Sequence, residues 1–293
     1  MVGCVLRSVL EPRALASAGF WRAVDLTVPE GCLLNARSPS PVGARSEVCA
    51  VLPDLLLAAL QPAVDQQVVA GSHGVHGMGF SSRRAPNFIY YETVAGGGGA
   101  RETKDGIDGI WETSNLPIEA MESEFPMMAD MLEYVPDSAG PGRFRGGVGV
   151  RKEYRLLVDA YVATHSNRHT VAAKGLTGGG QGATTSIVHS PGSLGPGSLG
   201  PGSEGAVELP REGTFIPVAG QDVVTIVSGG GGGFGDPLER SPDLVFRDVL
   251  NGKVTRDGAR QGYGVVVEEE GDVPRLDREG TELLRREMRA ARI

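Results

Sequence analysis

The sequence predicts a mixed α+β fold, with a strand- and turn-rich middle and a helical C-terminal segment. Glycine and proline number 44 and 19 among 293 residues, against usual shares of about 7% and 5%. Tight turns and close backbone approaches are therefore frequent. Residues 87–94 and 222–227 are short runs rich in β-branched and aromatic residues, the mark of strands. Apolar residues recur at helical spacing from Ser46 to Leu60, and capped helical patterns follow Ser241. Aromatic residues make up only 5% of the chain, so Val, Leu, Ala and Ile must supply most of the core.

In order, Ala23–Val28 alternates and ends at Pro29-Glu30-Gly31, a strand and turn; Leu33-Leu34-Asn35 fits a second strand. Val48, Val51, Leu52, Leu55, Leu56, Ala59 and Leu60 define a helix that Pro53 kinks or starts and Pro62 closes. Residues 1–70 thus predict a partial α/β segment. Residues 71–293 predict a glycine-rich, β-dominated region. Within it, 87–94 is a strand, and 143–150 running into 151–158 predicts a hairpin or bent strand pair. The Pro-Gly-Ser-Leu-Gly repeat within 190–206 has nothing to bury and predicts a flexible loop. Residues 222–227 form a strand feeding Gly229–Gly233. A helix then starts at Ser241-Pro242-Asp243, with serine as cap and proline at the first helical position. A short helix begins at Thr255, a strand lies near 264–268, and Thr281–Ile293 forms a basic helix with a solvated arginine face.

The net charge of −8 argues against nucleic-acid or anionic-membrane partners, which require a basic face. Cys4, Cys32 and Cys49 show no C-x-x-C spacing, so neither a zinc signature nor a disulfide framework is expected, which suits a reducing cytoplasm. The small residues Ala14–Ala18 imitate a leader cleavage site, but the apolar run before them is too short. Gly230, Gly232 and Gly235 satisfy G-x-G-x-x-G, yet Asp236-Pro237 stands where a helix should open, so a tight structural turn is expected. No glycine run is followed by Gly-Lys-Ser/Thr, so no phosphate loop is present. His73 with His76, and His165 with His169, lack a third ligand, and no metal is expected in this chain.

Glu92, Arg101, Glu102, Lys104, Asp105 and Asp108 flank Gly96, Gly97, Gly98 and Gly99. A glycine turn lets backbone N–H groups converge on an anion, with nearby carboxylates orienting a nucleophile or cation. The alternative is a charged turn, since Asp105-Gly106 and Asp108-Gly109 are ordinary turn pairs.

Taken together, Tyr91–Arg101, Lys104–Gly109, Ser114–Glu119, Glu122–Pro126, Pro136–Val150 and Ser228–Arg240 resemble the hydantoinase B/oxoprolinase family. The resemblance implies ATP-dependent opening of cyclic amides such as hydantoins and 5-oxoproline, with a hydantoinase A-type ATPase partner holding ATP-Mg. Acetone carboxylase α-type subunits, which carboxylate a ketone, are an alternative reading, and a non-catalytic partner-docking fragment is another. The family's upstream signatures of the Asp-Pro-x-x-Gly-Gly-Thr-His-x-x-Asp and His-x-x-Asp-Ile-Gly-Gly kinds do not occur here. The resemblance therefore covers a C-terminal half, with the implied divalent metal in the other half. A separately encoded N-terminal half is expected as a further partner, and this chain alone is expected to be inactive. Under this resemblance Glu92, Arg101, Asp105, Asp108 and Glu119 are the candidate site or subunit-contact residues, with Gly96–Gly99 as the backbone that approaches substrate or partner.

Overall fold

The computed structural model describes residues 1–43, 45–64, 68–111, 113, 115–192, 205–270 and 273–291. Most of the loop expected at 190–206 lies outside the described residues. The chain divides into two compact units, Met1–Val68 and Val69–Ile293.

The first unit contains α1 (Val2–Leu10), α2 (Ala18–Trp21) and α3 (Arg45–Leu60). Val5 and Val9 face inward from α1, and Trp21 packs so closely on Gly3 that a β-carbon there would lie 2.6 Å from its ring. Pro53 sits inside α3 without ending it. The strands expected at 23–28 and 33–35 do not form; a single Cys32–Asn35 bridge takes their place. Leu26, Leu33 and Leu34 are all exposed. Alternation alone does not make a strand where no neighbouring strand offers backbone partners.

The second unit holds β1 (His76–Ser82), β2 (Phe88–Val94), α4 (Ile118–Glu124), β3 (Met127–Tyr134), β4 (Val150–Leu156), β5 (Ala160–Ser166) and β6 (Ser186–Ser190). It continues with β7 (Val207–Glu208), β8 (Glu212–Val218), β9 (Val223–Val227), α5 (Pro242–Leu250), α6 (Arg256–Tyr263), β10 (Val266–Glu270), β11 (Val273–Asp277) and α7 (Arg278–Ala290). Two antiparallel sheets, ordered β2-β1-β5-β8 and β3-β4-β9-β6-β7, share one core. Phe80, Tyr90 and Val162 from the first sheet meet Tyr154, Ile187 and Ile226 from the second. In β2 the residues Phe88, Tyr90, Glu92 and Val94 turn inward while Ile89 and Tyr91 face out, as period two requires.

Arg143–Gly149 do not form the first arm of a strand pair. They belong to a bundle of extended glycine segments that bond sideways in several directions. In the central segment the N–H of Gly231 donates to Gly147 O at 2.9 Å, that of Gly232 to Gly71 O at 2.8 Å, and that of Gly233 to Gly180 O at 2.9 Å. The carbonyls of the same three residues accept from Gly140, Ala100 and Leu176. Successive residues thus address different neighbouring segments. Each of these three donors finds a partner although no sheet is made. Side chains are excluded by contact: a β-carbon on Gly97 would sit 2.0 Å from Gly147 O.

A second core of Val245, Val254, Ala259, Tyr263 and Val265 gathers α5, α6 and the β10–β11 hairpin. Thr255 caps α6 by accepting from Gly258 N, and Asp277 caps α7 by accepting from Gly280 N. The arginine face expected to be solvated is partly an anchor. Arg285 is buried and donates to the carbonyls of Tyr263 and Arg240, while Arg289 donates to Leu238 O. An arginine that caps carbonyls from two other segments keeps its charge while its stem covers apolar surface.

Candidate functional site

The charged residues around the glycine run separate into two buried clusters. Glu92, at the polar end of β2, lies between the sheets. Its carboxylate accepts from Lys152 Nζ at 2.9 and 2.8 Å, from Tyr90 Oη at 2.9 Å, from Tyr154 Oη at 2.5 Å and from Leu116 N at 3.1 Å. Lys152 is fully buried and Glu92 nearly so. Burial, reinforced by the Glu92 charge, pushes both tyrosines well above their ordinary pKa. The phenols therefore stay protonated and act as donors. One carboxylate, one ammonium and two phenols form a neutral, closed group tying the first sheet to the second.

Asp105 and Asp108 enter a different cluster at the edge of the glycine bundle. Asp105 receives Arg240 through two bonds of 2.7 Å and Arg145 N at 2.8 Å. Asp108 receives Arg145 Nη1 at 2.8 Å, Val148 N at 2.9 Å and Lys253 Nζ at 2.8 Å. Asp248 completes the network, accepting from Arg240 at 2.8 Å with Arg145 Nε at 3.4 Å. Three carboxylates thus balance three cations. Burial works to raise the carboxyl pKa of Asp105 and Asp108, but hydrogen bonds and charge from Arg240 and Arg145 respectively outweigh it and hold both low. Arg145 and Arg240 are almost wholly buried, and their paired bonds brace the glycine bundle against α5.

The glycine donors are engaged within the bundle. Gly97 N donates to Gly229 O, Gly98 N to Ile107 O and Gly99 N to Ser72 Oγ, while Gly96 O accepts from Trp111 N. Arg101 turns the chain back through paired backbone bonds with Lys104. Glu119 stands exposed in the first turn of α4, three residues beyond Leu116, whose N–H serves Glu92. The structure therefore joins Asp105 with Asp108, places Glu92 elsewhere in the unit, and leaves Glu119 on the surface.

His73 and His76, which lack a third ligand in sequence, are buried beside the Gly96 wall. Their rings lie 5.0 Å apart. His76 bonds Ser166 Oγ at 2.6 Å and Thr185 Oγ1 at 3.1 Å. His73 Nε2 lies 3.2 Å from Trp111 O. A carbonyl only accepts, so Nε2 carries the proton and Nδ1 keeps a lone pair. Burial lowers the His73 pKa to about 4, against a smaller opposing effect of the Trp111 carbonyl; burial, with its neighbours His73 and His169, also drives His76 well below its ordinary value. Both rings are neutral at pH 7. Among the described residues, no three His, Cys, Asp or Glu side chains are grouped to hold a metal ion.

This arrangement carries a pH prediction. The unfolded chain protonates these histidines near pH 6.5, whereas the folded chain protonates His73 only near pH 4 and holds His76 well below its ordinary value. Stability contributed by the neutral rings is therefore complete above about 6.5 and is lost as pH falls from there to 4. For His73 alone the loss is about 3 kcal/mol. Urea midpoints should fall steadily from pH 7.5 to 4.5, before the carboxylates of Asp105 and Asp108 titrate. In His73→Gln the slope in that window should be shallower.

A two-sheet α+β unit braced by a glycine bundle is the class that fold and geometry define, and comparison with known proteins places it. The family model of hydantoinase B/oxoprolinase matches residues 1–237, and the chain belongs to that family. It is 30% identical, over 92% of its length and 44% of the relative's, to a protein of Pseudomonas sp. (strain NS671) named as a putative D-/L-hydantoinase component of the B type. To the beta chain of the caprolactamase of Pseudomonas jessenii it is 29% identical, over 87% of this chain and 45% of that one. Among solved structures, the ATP-dependent caprolactamase of Pseudomonas jessenii superimposes with a TM-score of 0.73 at 26% identity, covering 96% of this chain and 50% of that one. A nucleotide-free acetone carboxylase shares the fold with a TM-score of 0.81 at 21% identity, covering 99% and 44%. The chain spans about half the length of the curated relatives it matches. No described helix is long and apolar enough to cross a membrane.

Proposed function

We propose that this chain forms half of a hydantoinase B-type subunit in an ATP-dependent enzyme that opens a small cyclic amide. The observation carrying this reading is similarity near 30% over about nine-tenths of the chain to proteins named for hydantoin and caprolactam chemistry. A hydantoinase A-type partner would bind ATP-Mg and phosphorylate the amide carbonyl oxygen, turning a poor electrophile into one with a phosphate leaving group. Water then adds at that carbon, the ring C–N bond breaks with the proton passing to the departing amine, and the acyl phosphate left behind is hydrolysed by a second water to the acid and phosphate. The role left for this chain is positioning, worth several orders of magnitude when the reacting atoms are held correctly. Glu92, Asp105 and Asp108 act here as positioning residues, holding the sheets and the Gly96–Gly99 wall in fixed relation. Exposed Glu119 and half-buried Arg101 are the residues offered to a neighbouring subunit. The other half of the module carries the divalent metal, and the assembly works in the cytoplasm.

The test is ATP turnover by the chain combined with a hydantoinase A-type subunit and an upstream half-module, using hydantoin, 5-oxoproline and caprolactam. Turnover with one of the cyclic amides, absent for the chain alone, is the expected result. Ring opening by the chain alone, or turnover only with a ketone plus bicarbonate, would overturn it, the second in favour of a carboxylase.

A further inference from the structure

The first sheet carries a cavity that the positioning role does not use. Where β1 ends, β5 begins and β8 ends, a hollow of about 540 Å³ opens, lined by Arg83, Arg84, Asp159, Tyr161, Pro217 and Asp222 among others. A smaller hollow of about 230 Å³ adjoins it, sharing Arg83 and Tyr161 and adding Phe215. Register explains the convergence: Tyr161 pairs with Ser81 on one side and Pro217 on the other.

The aromatic wall is built at a cost. The β5–β8 register slips between Val162 and Thr164, and Phe215 sits in that irregularity with φ 55°. The left-handed region is unfavourable for a bulky L-residue by roughly 1–2 kcal/mol, and irregularities of this kind re-aim a side chain. The result is a phenyl ring 60% exposed, with Tyr161 edge-on at 6.0 Å and 82°. The Arg83 guanidinium lies over the Phe215 face at 5.5 Å. Stacking occupies its face and leaves its N–H edge free to bond in plane.

The charges are sorted as well. Ser82 Oγ ties down the Arg84 backbone at both N–H and carbonyl, 3.3 Å each, so both arginines project from a short turn. Among the described residues neither arginine forms an ion pair. The carboxylates across the hollow are already engaged: Asp159 accepts from Gly220 N, and Asp222 from Ala219 N, Gly192 N and His189. Among the described residues neither carboxylate bonds to Arg83 or Arg84, so the N–H edges of the two guanidinium groups stay free to bond in the hollow.

We propose that this hollow is a binding site for a small organic carboxylate with a flat apolar body. The carboxylate meets the N–H edges of Arg83 and Arg84, and the flat body lies in the corner formed by Tyr161 and Phe215. Guanidinium forks match carboxylate geometry, and the corner adds what an inorganic anion cannot use.

The experiment titrates the full chain with sodium benzoate, sodium acetate and sodium phosphate at constant ionic strength, followed by calorimetry and ligand saturation-transfer NMR. Benzoate should bind saturably in the millimolar range, and acetate and phosphate roughly tenfold more weakly. Arg83→Gln and Phe215→Ser, both at exposed positions, should each weaken benzoate about tenfold with an unchanged melting temperature. If a variant unfolds, the arginine Nε–H resonances of the unmutated chain decide, since two of them should move on addition of benzoate. Absence of saturable benzoate binding, equal binding of phosphate, benzoate affinity unmoved by both substitutions, or unmoved arginine resonances would each overturn the proposal.

Discussion

Gly231→Ala should yield no folded second unit. The backbone angle at Gly231 lies outside the left-handed region, so conformational strain is not the reason. The added β-carbon would lie 1.9 Å from Gly98 O and 2.3 Å from its carbonyl carbon. These are backbone atoms held from both sides. Gly98 N donates to Ile107 O and Gly98 O accepts from Gly147 N, whose own carbonyl accepts from Gly231 N. Moving one segment breaks bonds in at least two others, so the bundle cannot yield locally. The expected loss is about 5 kcal/mol or more, comparable with the whole stability of an ordinary domain. Gly252→Ala is the informative control. Nothing lies within 4 Å of its β-carbon position, but its φ is +66°, so only the left-handed cost of about 1–2 kcal/mol applies. Circular dichroism and urea midpoints of the two variants should therefore diverge: Gly252→Ala folded with a modest shift, Gly231→Ala insoluble or without a cooperative transition. A folded Gly231→Ala with a near-native midpoint would mean that the glycine segments are less tightly packed than these distances require.

The same contrast explains what could be read ahead of the structure. Runs with a strong local signal are legible: β2 and β9 by their density of β-branched and aromatic residues, α5 and α6 by Ser241, Pro242 and Thr255. The β1 strand is not, because His76-Gly77-Met78-Gly79 carries no strand propensity. Its glycines are required by cross-strand neighbours: a β-carbon on Gly77 would lie 2.0 Å from the His165 ring. The glycine bundle was invisible as a structure, since polyglycine has no side-chain period. Only the number of such runs hinted that they meet one another. For the site, sequence proximity was misleading. Asp105 and Asp108 are close neighbours and remain together, but the cations that neutralise them come from 37 to 145 positions away, at Arg145, Arg240 and Lys253. Glu92 stands 13 positions before Asp105, yet period two turns it into the core, where Lys152 and Tyr154 meet it from the opposite sheet. No local signal predicts a partner 60 residues away.

That sheet-to-sheet pair makes the second large prediction. Lys152→Ala removes the only cation bonded to Glu92 among the described residues and leaves a carboxylate between two sheets with two phenols and one amide for company. Breaking a buried pair from one side costs about 3–5 kcal/mol, because the remaining charge has lost its compensation. The double variant Glu92→Gln/Lys152→Met removes both charges while roughly keeping volume, and it should recover part of that loss. The difference should appear as a coupling energy of about 1–3 kcal/mol in a double-mutant cycle. The pH dependence distinguishes a charge effect from a packing defect. In Lys152→Ala the carboxyl of Glu92 should ionise above its unfolded value, since burial now acts on it unopposed by the ammonium. The folded variant then binds a proton that the unfolded chain releases near pH 4.3. Its deficit relative to the unmodified protein should therefore shrink as pH falls from 7 towards 5 and be largest at neutral pH. Urea midpoints of both proteins at pH 5 and pH 7.5 measure this directly. A deficit that stays constant across that range would assign the loss to the cavity left by the lysine stem, and Lys152→Met, which fills that space without the charge, should then be nearly neutral.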